Sequence, residues 1–270
     1  MRLAITHETV HRFEQPASRA IQTLRLTPRN TESQLVQNWR IDVSKDCRLS
    51  PVEDAFGNHV HTFSIDGPID ELSIVASGSV VTEDTAGVLH ATRERLPLAA
   101  FCRVTDRTPI EAMVRDFALT ALEESGRYPL ATLHLMMGRL HETVTVDPTA
   151  AAAAPHVVMT DGRAGVADLA HLFIAAARAL DIPARFVTGW LFDSARPVRD
   201  APHAWIEAHL GSGLGWVGFD VVENCCPTDR WVRLAVGLDA LDAAPIRGVR
   251  TTFGGETVTT RIEVREISAA

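Results

Sequence analysis

GRAGVADLAHLFIAAARAL, residues Gly162 to Leu180, decides how the rest of the chain is read. Val166, Leu169, Ala170, Phe173, Ile174, Ala177 and Leu180 recur at three- and four-residue spacing, which predicts a loop running into a helix with one buried stripe. The first turn of such a helix holds backbone N–H groups without internal partners, a setting that stabilises an anion or a thiolate. Downstream lie a histidine in Pro202-His203-Ala204-Trp205-Ile206-Glu207 and an aspartate in Gly215-Trp216-Val217-Gly218-Phe219-Asp220. A base and a group to orient it are therefore present, and the nucleophile is what must be found.

Composition narrows the classes of function. At 270 residues and 46% hydrophobic content, the chain has the material for one large or two ordinary domains with a real core. A net charge of -8 without a basic cluster argues against nucleic-acid binding, which needs clustered Lys and Arg. The start, Met1 to Val10, alternates and carries Glu8, so it lacks the apolar region of a secretory signal, and no window approaches a membrane span of ~20 apolar residues. The four cysteines, Cys47, Cys102, Cys225 and Cys226, show neither zinc-site spacing nor a disulfide framework. Reduced thiols, no metal, no cofactor, no membrane and a cytoplasmic location are expected.

The first third reads as strands. Alternation in Leu3–His7, Ile21–Leu26, Trp39–Val43, Val60–Ile65 and Leu72–Val81, with turn formers at Pro28-Arg29-Asn30, Asp54–Asn58 and Gly67-Pro68, predicts an antiparallel β-sandwich over residues 1–85. His7, His11, His59 and His61 read as strand or surface histidines rather than metal ligands. Residues 86–125 form a helical connector containing the polar run Thr92-Arg93-Glu94-Arg95. In it, Thr108-Pro109-Ile110-Glu111 has the capping-box pattern ahead of a helix from Ala112 to Leu122. A second helix follows over Pro129–Thr145, and Ala150–Pro155 reads as a loop or frayed helix.

After the focal helix, Pro183 stops the helical period, and strands are expected over Ala184–Leu191, His203–Leu210 and Leu214–Asp220. Gly211-Ser212-Gly213 makes a tight connection that lets His203 and Asp220 face one another. A short helical run near Trp231–Val236 and a last hairpin around Gly254-Gly255 complete a core over residues 126–270.

These residues resemble the transglutaminase-like superfamily, specifically its bacterial members with an added N-terminal β domain. The similarity lies in Gly162–Pro183, Val187–Leu191, His203-Ala204-Trp205-Ile206-Glu207 and Gly215–Asp220, with His7, Arg25–Arg29 and Phe56-Gly57-Asn58 resembling the N-terminal domain. The resemblance implies an α+β fold: an antiparallel β-sandwich followed by a transglutaminase/papain-like core of helices packed on an antiparallel sheet. It implies cysteine-peptidase or acyl-transfer chemistry, with His203 as general base and Asp220 orienting it. The family motif runs Gly-Val-Cys-Gln-Asp-Phe-Ala-His-Leu. Anchored on Asp168 and His171, it puts Val166 where the nucleophilic Cys stands. A valine has neither a lone pair for attack nor a proton for a base. After Asp220, Val221-Val222-Glu223 replaces the family's Pro-Thr-Asn.

The reading that follows is a pseudoenzyme that keeps its groove, His203 and Asp220, and binds a peptide or protein partner within a bacterial peptide-modifying system. Trp190 and Trp205, with Trp216, are core packing or the lining of a peptide groove, and Asp168 is either a binding residue or an acid favoured by the helix dipole. The alternative is an active peptidase, amidase or acyltransferase using Cys225, Cys226 or a His203-activated water. A structural subunit with an empty groove, and homo-oligomer formation, also stay open.

Overall fold

A computed structural model describes residues 1–89 and 94–268; the Thr92-Arg93 half of the polar connector run lies outside the described residues. Strand β1 runs unbroken over Arg2–Thr27, followed by β2 (Gln34–Val43), β3 (Ser50–Glu53), β4 (His59–Thr82) and β5 (Val88–Leu89). The chain then turns helical, with α1 (Ala112–Glu124), α2 (Pro129–Thr143) and α3 (Pro155–Asp161), before the central α4 (Val166–Ala179). The two-residue strands β6 (Thr145–Val146) and β7 (Arg163–Ala164) pair in parallel on either side of α3. Next come β8 (Ala184–Leu191), β9 (Val198–Arg199), β10 (His203–His209), the single turn α5 (Gly211–Leu214), β11 (Trp216–Phe219) and β12 (Trp231–Gly237). Strands β13 (Ile246–Thr251) and β14 (Glu256–Glu266) close the chain.

Two runs that read as separate strands, Leu3–His7 and Ile21–Leu26, belong to the single long β1. Its inward positions alternate faithfully from Leu3 to Phe13, the exposed Glu14-Gln15-Pro16 breaks the period, and burial resumes at Ala17. The β1–β4 register slips at the same place, between Arg12 and Ala17 and again before Arg19. Each slip re-aims the strand and bends it without ending it. Gly67-Pro68, a cis bond, sits inside β4 opposite this bend rather than between two strands. A Cβ on Gly67 would lie 2.1 Å from the Ala17 carbonyl oxygen, so only glycine lets the two backbones cross there.

The last two strands do not form a hairpin of their own. β14 pairs with Leu3–Phe13 of β1 and β13 pairs with Arg19–Leu24, so both lie end to end along one edge of the bent strand. The C-terminal residues therefore complete the N-terminal sheet instead of belonging to the core, as a core over 126–270 had implied. The finished sheet has seven strands, ordered β2-β4-β1-β14-β9 with β13 on β1 and β3 on β4.

The second sheet has five antiparallel strands, β12-β8-β10-β11-β5, and α4 lies against β8 and β10 with α1, α2 and α3 around it. Every α4 residue from Asp168 to Arg178 is buried, because helices cover the face that the sheet leaves open. Residues 231–237 are strand, not helix: six of the seven are buried, which hides the alternation that marks a strand. Residues Gly211–Leu214 make a helical turn where a tight hairpin connection was expected. Thr108 does not cap α1. Its hydroxyl accepts from Arg178 Nη1 at 2.8 Å, and Glu111 takes the cap position with no side-chain bond. Buried Arg178 also donates to the carbonyls of Phe101, Ala184 and Leu238, and burial lowers its pKa to about 10.

Two buried amides join the sheets. Gln34 donates to the Arg233 carbonyl and accepts its N–H, both at 2.8 Å. Asn58 does the same for Val236, at 2.7 and 2.8 Å. Together they satisfy the outer edge of β12, which would otherwise be left unpaired inside the protein.

Candidate active site

Val166 is the first helical residue of α4, after Gly165 in an extended conformation. It faces Ala204 of β10, Phe219 of β11, and Val221 and Val222 beyond it, around a gap with no room for a water molecule (≈ 0 Å³). No side chain in that lining carries a nucleophilic atom, apart from the indole N–H of Trp205, which only donates.

His203 opens β10 opposite Gly189 of β8, and the space beside Gly189 is taken by the Trp205 ring. A Cβ at Gly189 would stand 2.5 Å from that ring and 2.2 Å from the Val232 carbonyl oxygen, so glycine is required for β8, β10 and β12 to meet. Asp220 follows the end of β11 and is completely buried. His203 Nε2 lies 2.5 Å from Asp220 Oδ2, and since a carboxylate only accepts, Nε2 carries the proton and Nδ1 is the free base. The same oxygen accepts the Trp231 indole N–H at 2.8 Å, while Oδ1 accepts the backbone N–H groups of Val222 and Glu223 at 2.9 and 3.1 Å. Every acceptor site of this buried carboxylate is thus directed, which fixes the imidazole. Trp231 was invisible as a partner while its segment read as helix; the Trp-Val pattern of β12 was the signal that a strand places it beside Asp220.

Asp168 sits in the first turn of α4 but faces away from the pair. Its Oδ2 accepts the Ala153 N–H at 3.1 Å, and Oδ1 lies 3.5 Å from His171 Nδ1. The two tryptophans named for a groove are closed off. Trp190 is 1% exposed, packed at a tilt against Trp39 with ring centres 5.4 Å apart, and its indole N–H points to His7 Nδ1 at 3.3 Å, so it joins the two sheets. Trp205 is 3% exposed and packs with Val187, Leu191, Trp231 and Val236. Trp216 lies under the Arg185 guanidinium, 3.8 Å from ring centre to Cζ. Trp190 and Trp216 line no such groove, because the sheet interface consumes them, while Trp205 lines only a narrow cleft of about 30 Å³ with Gln34, Glu207, Trp231 and Arg233.

Cys225 comes near the pair: its backbone bonds both ways with Asp220, at 2.9 and 3.2 Å. Burial, then the charge of Asp220 and that of Glu223, pushes its thiol up to about 11, so at neutral pH it is protonated and a poor nucleophile. Burial raises the Cys226 thiol as well. Among the described residues, no group of three or more His, Cys, Asp and Glu side chains is placed to hold a metal ion. Among the described residues, no helix is long and apolar enough to cross a membrane.

A helix start packed against the residues that flank a strand-borne His–Asp pair, on an antiparallel sheet flanked by helices, defines the class: a cysteine-peptidase-like α+β core. Residues 3–81 match the bacterial transglutaminase-like N-terminal region and residues 121–221 match the transglutaminase-like superfamily core. The chain belongs to the transglutaminase-like superfamily. Its architecture matches the crystal structure of a candidate cysteine protease from Cytophaga hutchinsonii, with a TM-score of 0.74 at 21% identity over 100% of this chain and 92% of that one. It is also similar to an uncharacterized protein of Mycobacterium leprae, 26% identical over 99% of both chains. An uncharacterized protein of Mycobacterium tuberculosis is 25% identical over 95% of this chain and 90% of its own.

Proposed function

We propose that this protein is a transglutaminase-like pseudoenzyme that binds a peptide or protein partner without cleaving or transferring it. The observation that carries the reading is Val166, an aliphatic side chain at the first position of α4, packed against Ala204, Val221 and Val222. Acyl transfer through a covalent intermediate needs a heteroatom there, next to the helix N-terminus and within reach of His203 Nδ1. The raised thiol of Cys225 speaks against a relocated nucleophile, and four unpaired cysteines suit a reducing compartment, which supports a cytoplasmic site of action. His203 and Asp220 then serve as a rigid polar strut between β10, β11 and β12.

The test uses one glutamine-containing peptide pool with the wild-type protein and two readouts. Peptides are expected to be retained in equilibrium dialysis, with no hydrolysis or transamidation above buffer. Turnover by the wild type, abolished in His203→Ala, overturns the proposal.

A further inference from the structure

Strand β2 ends the seven-stranded sheet, and among the described residues no strand pairs with its outer side. Its pairing with β4 says which groups that side presents. The Ser44 N–H bonds the Ser73 carbonyl directly opposite in the register, so Asp42 and Arg40, two and four residues back, also spend their backbone groups on β4. Trp39, Ile41 and Val43 turn theirs outward. Their side chains lie half-buried on the core face, while Arg40 and Asp42 stand on the solvent face with side chains 75% and 56% exposed.

Open edges invite pairing, and this molecule blunts most of its others. Gln34 and Asn58 cap β12, β9 crosses part of β14, β3 contains Pro51, and β13 carries Arg247 and Arg250 with no acid. β2 has no Gly or Pro and balances Arg40 with Asp42. Past a bulge at Val36–Asn38 its register with β4 is regular as far as Val43, and none of those devices guards that stretch.

A second copy fits this edge in one register. Two β2 strands pair antiparallel about a two-fold axis only with outward-bonding residues opposite one another, since a slip of one residue turns the facing groups away. With the axis at Ile41, Ile41 faces its own copy, Trp39 faces Val43, and Arg40 stands directly opposite Asp42 on both sides of the axis. A shift of two residues sets Arg40 against Arg40 or Asp42 against Asp42, which repel. Within one chain Arg40 Nε already holds Asp42 at 3.0 Å, and the rest of the guanidinium is left to reach the second carboxylate. Trp39, Ile41 and Val43 then continue the apolar face from one copy into the other.

We infer that the protein forms a two-fold dimer by joining β2 edges about Ile41, with Arg40 of each copy paired to Asp42 of the other. The interface uses neither Val166 nor His203, so it stands or falls apart from the pseudoenzyme reading.

Sedimentation velocity on the full chain over a concentration series is expected to show a monomer–dimer equilibrium. Arg40→Asp and Asp42→Arg each set like charges opposite one another and should weaken the dimer at least tenfold. The double reversal restores both pairs and should restore the dimer. Both side chains are exposed, so circular dichroism is expected to stay unchanged. Should a variant misfold, amide exchange on the wild type decides the matter: the Trp39, Ile41 and Val43 amides should slow as concentration rises. A chain monomeric at every concentration, a dimer indifferent to the single reversals, or a folded double variant as weak as the single ones overturns the inference. So does concentration-dependent protection confined to another edge.

Discussion

Asp220 carries more of the molecule than its role beside a base requires. One side chain accepts from His203, Trp231, Val222 and Glu223, so Asp220→Ala strands two buried side-chain donors and two part-buried backbone N–H groups. Losing a buried hydrogen-bonded carboxylate of this kind costs about 3 kcal/mol or more, and urea unfolding should show that loss. Trp231→Phe removes one donor and keeps most of the ring, and about 1 kcal/mol is expected. His7 makes a prediction of a different sign. Burial lowers its pKa to about 4, so the folded protein keeps it neutral while the unfolded chain takes up a proton below its ordinary value of 6.5. Stability contributed by His7 is therefore intact at pH 7 and falls as pH drops from 6.5 toward 4, by about 3 kcal/mol in all. His7→Gln should flatten that part of the stability–pH curve measured by urea unfolding. The pair His203–Asp220 was legible in the sequence because the motif residues flank both. The third partner was not, since Trp231 lies in a segment buried on both faces, and such a strand loses the alternation by which strands are read.

At the scale of elements, β12 shows how side chains stand in for a missing strand. Gln34 and Asn58 reach from the other sheet to bond Arg233 and Val236, and Gln34→Ala or Asn58→Ala should each cost about 1–3 kcal/mol by leaving backbone groups unpaired. Hydrogen exchange would show the Arg233 amide released in the first variant and the Val236 amide in the second. Phe56-Gly57-Asn58 was recognisable as a family feature, but nothing local in Asn58 tells that its amide is spent on a strand nearly two hundred residues away. The α4 helix was the opposite case. Its period and its start after Gly165 were plain from sequence, since a buried helix writes its own stripe. The Thr108 capping box failed because Arg178, a buried cation in need of acceptors, competes for the same hydroxyl.

The whole molecule is tied together by its ends. β13 and β14 pair along β1, and β9, in the loop that leads to His203, pairs with β14 at Arg199 opposite Ile262. The last strands thus link the first sheet to the approach of His203. A chain ending at residue 245 leaves the β1 edge open over most of its length, and it should aggregate or expose apolar surface to a fluorescent dye while the full chain does not. The sequence alone showed strands at both ends but not that they join, because register between distant strands leaves no local trace. The central claim remains that the site at the start of α4 has lost its nucleophile, and Val166 is where that claim can be met directly. The measurement is intact and peptide-level mass after brief exposure of the folded protein to a thiol-directed electrophile at neutral pH, with His203→Ala alongside. The account predicts that Cys47, Cys102, Cys225 and Cys226 react no faster than a free thiol and alike in both proteins; rapid modification of a single cysteine that His203→Ala abolishes would contradict it.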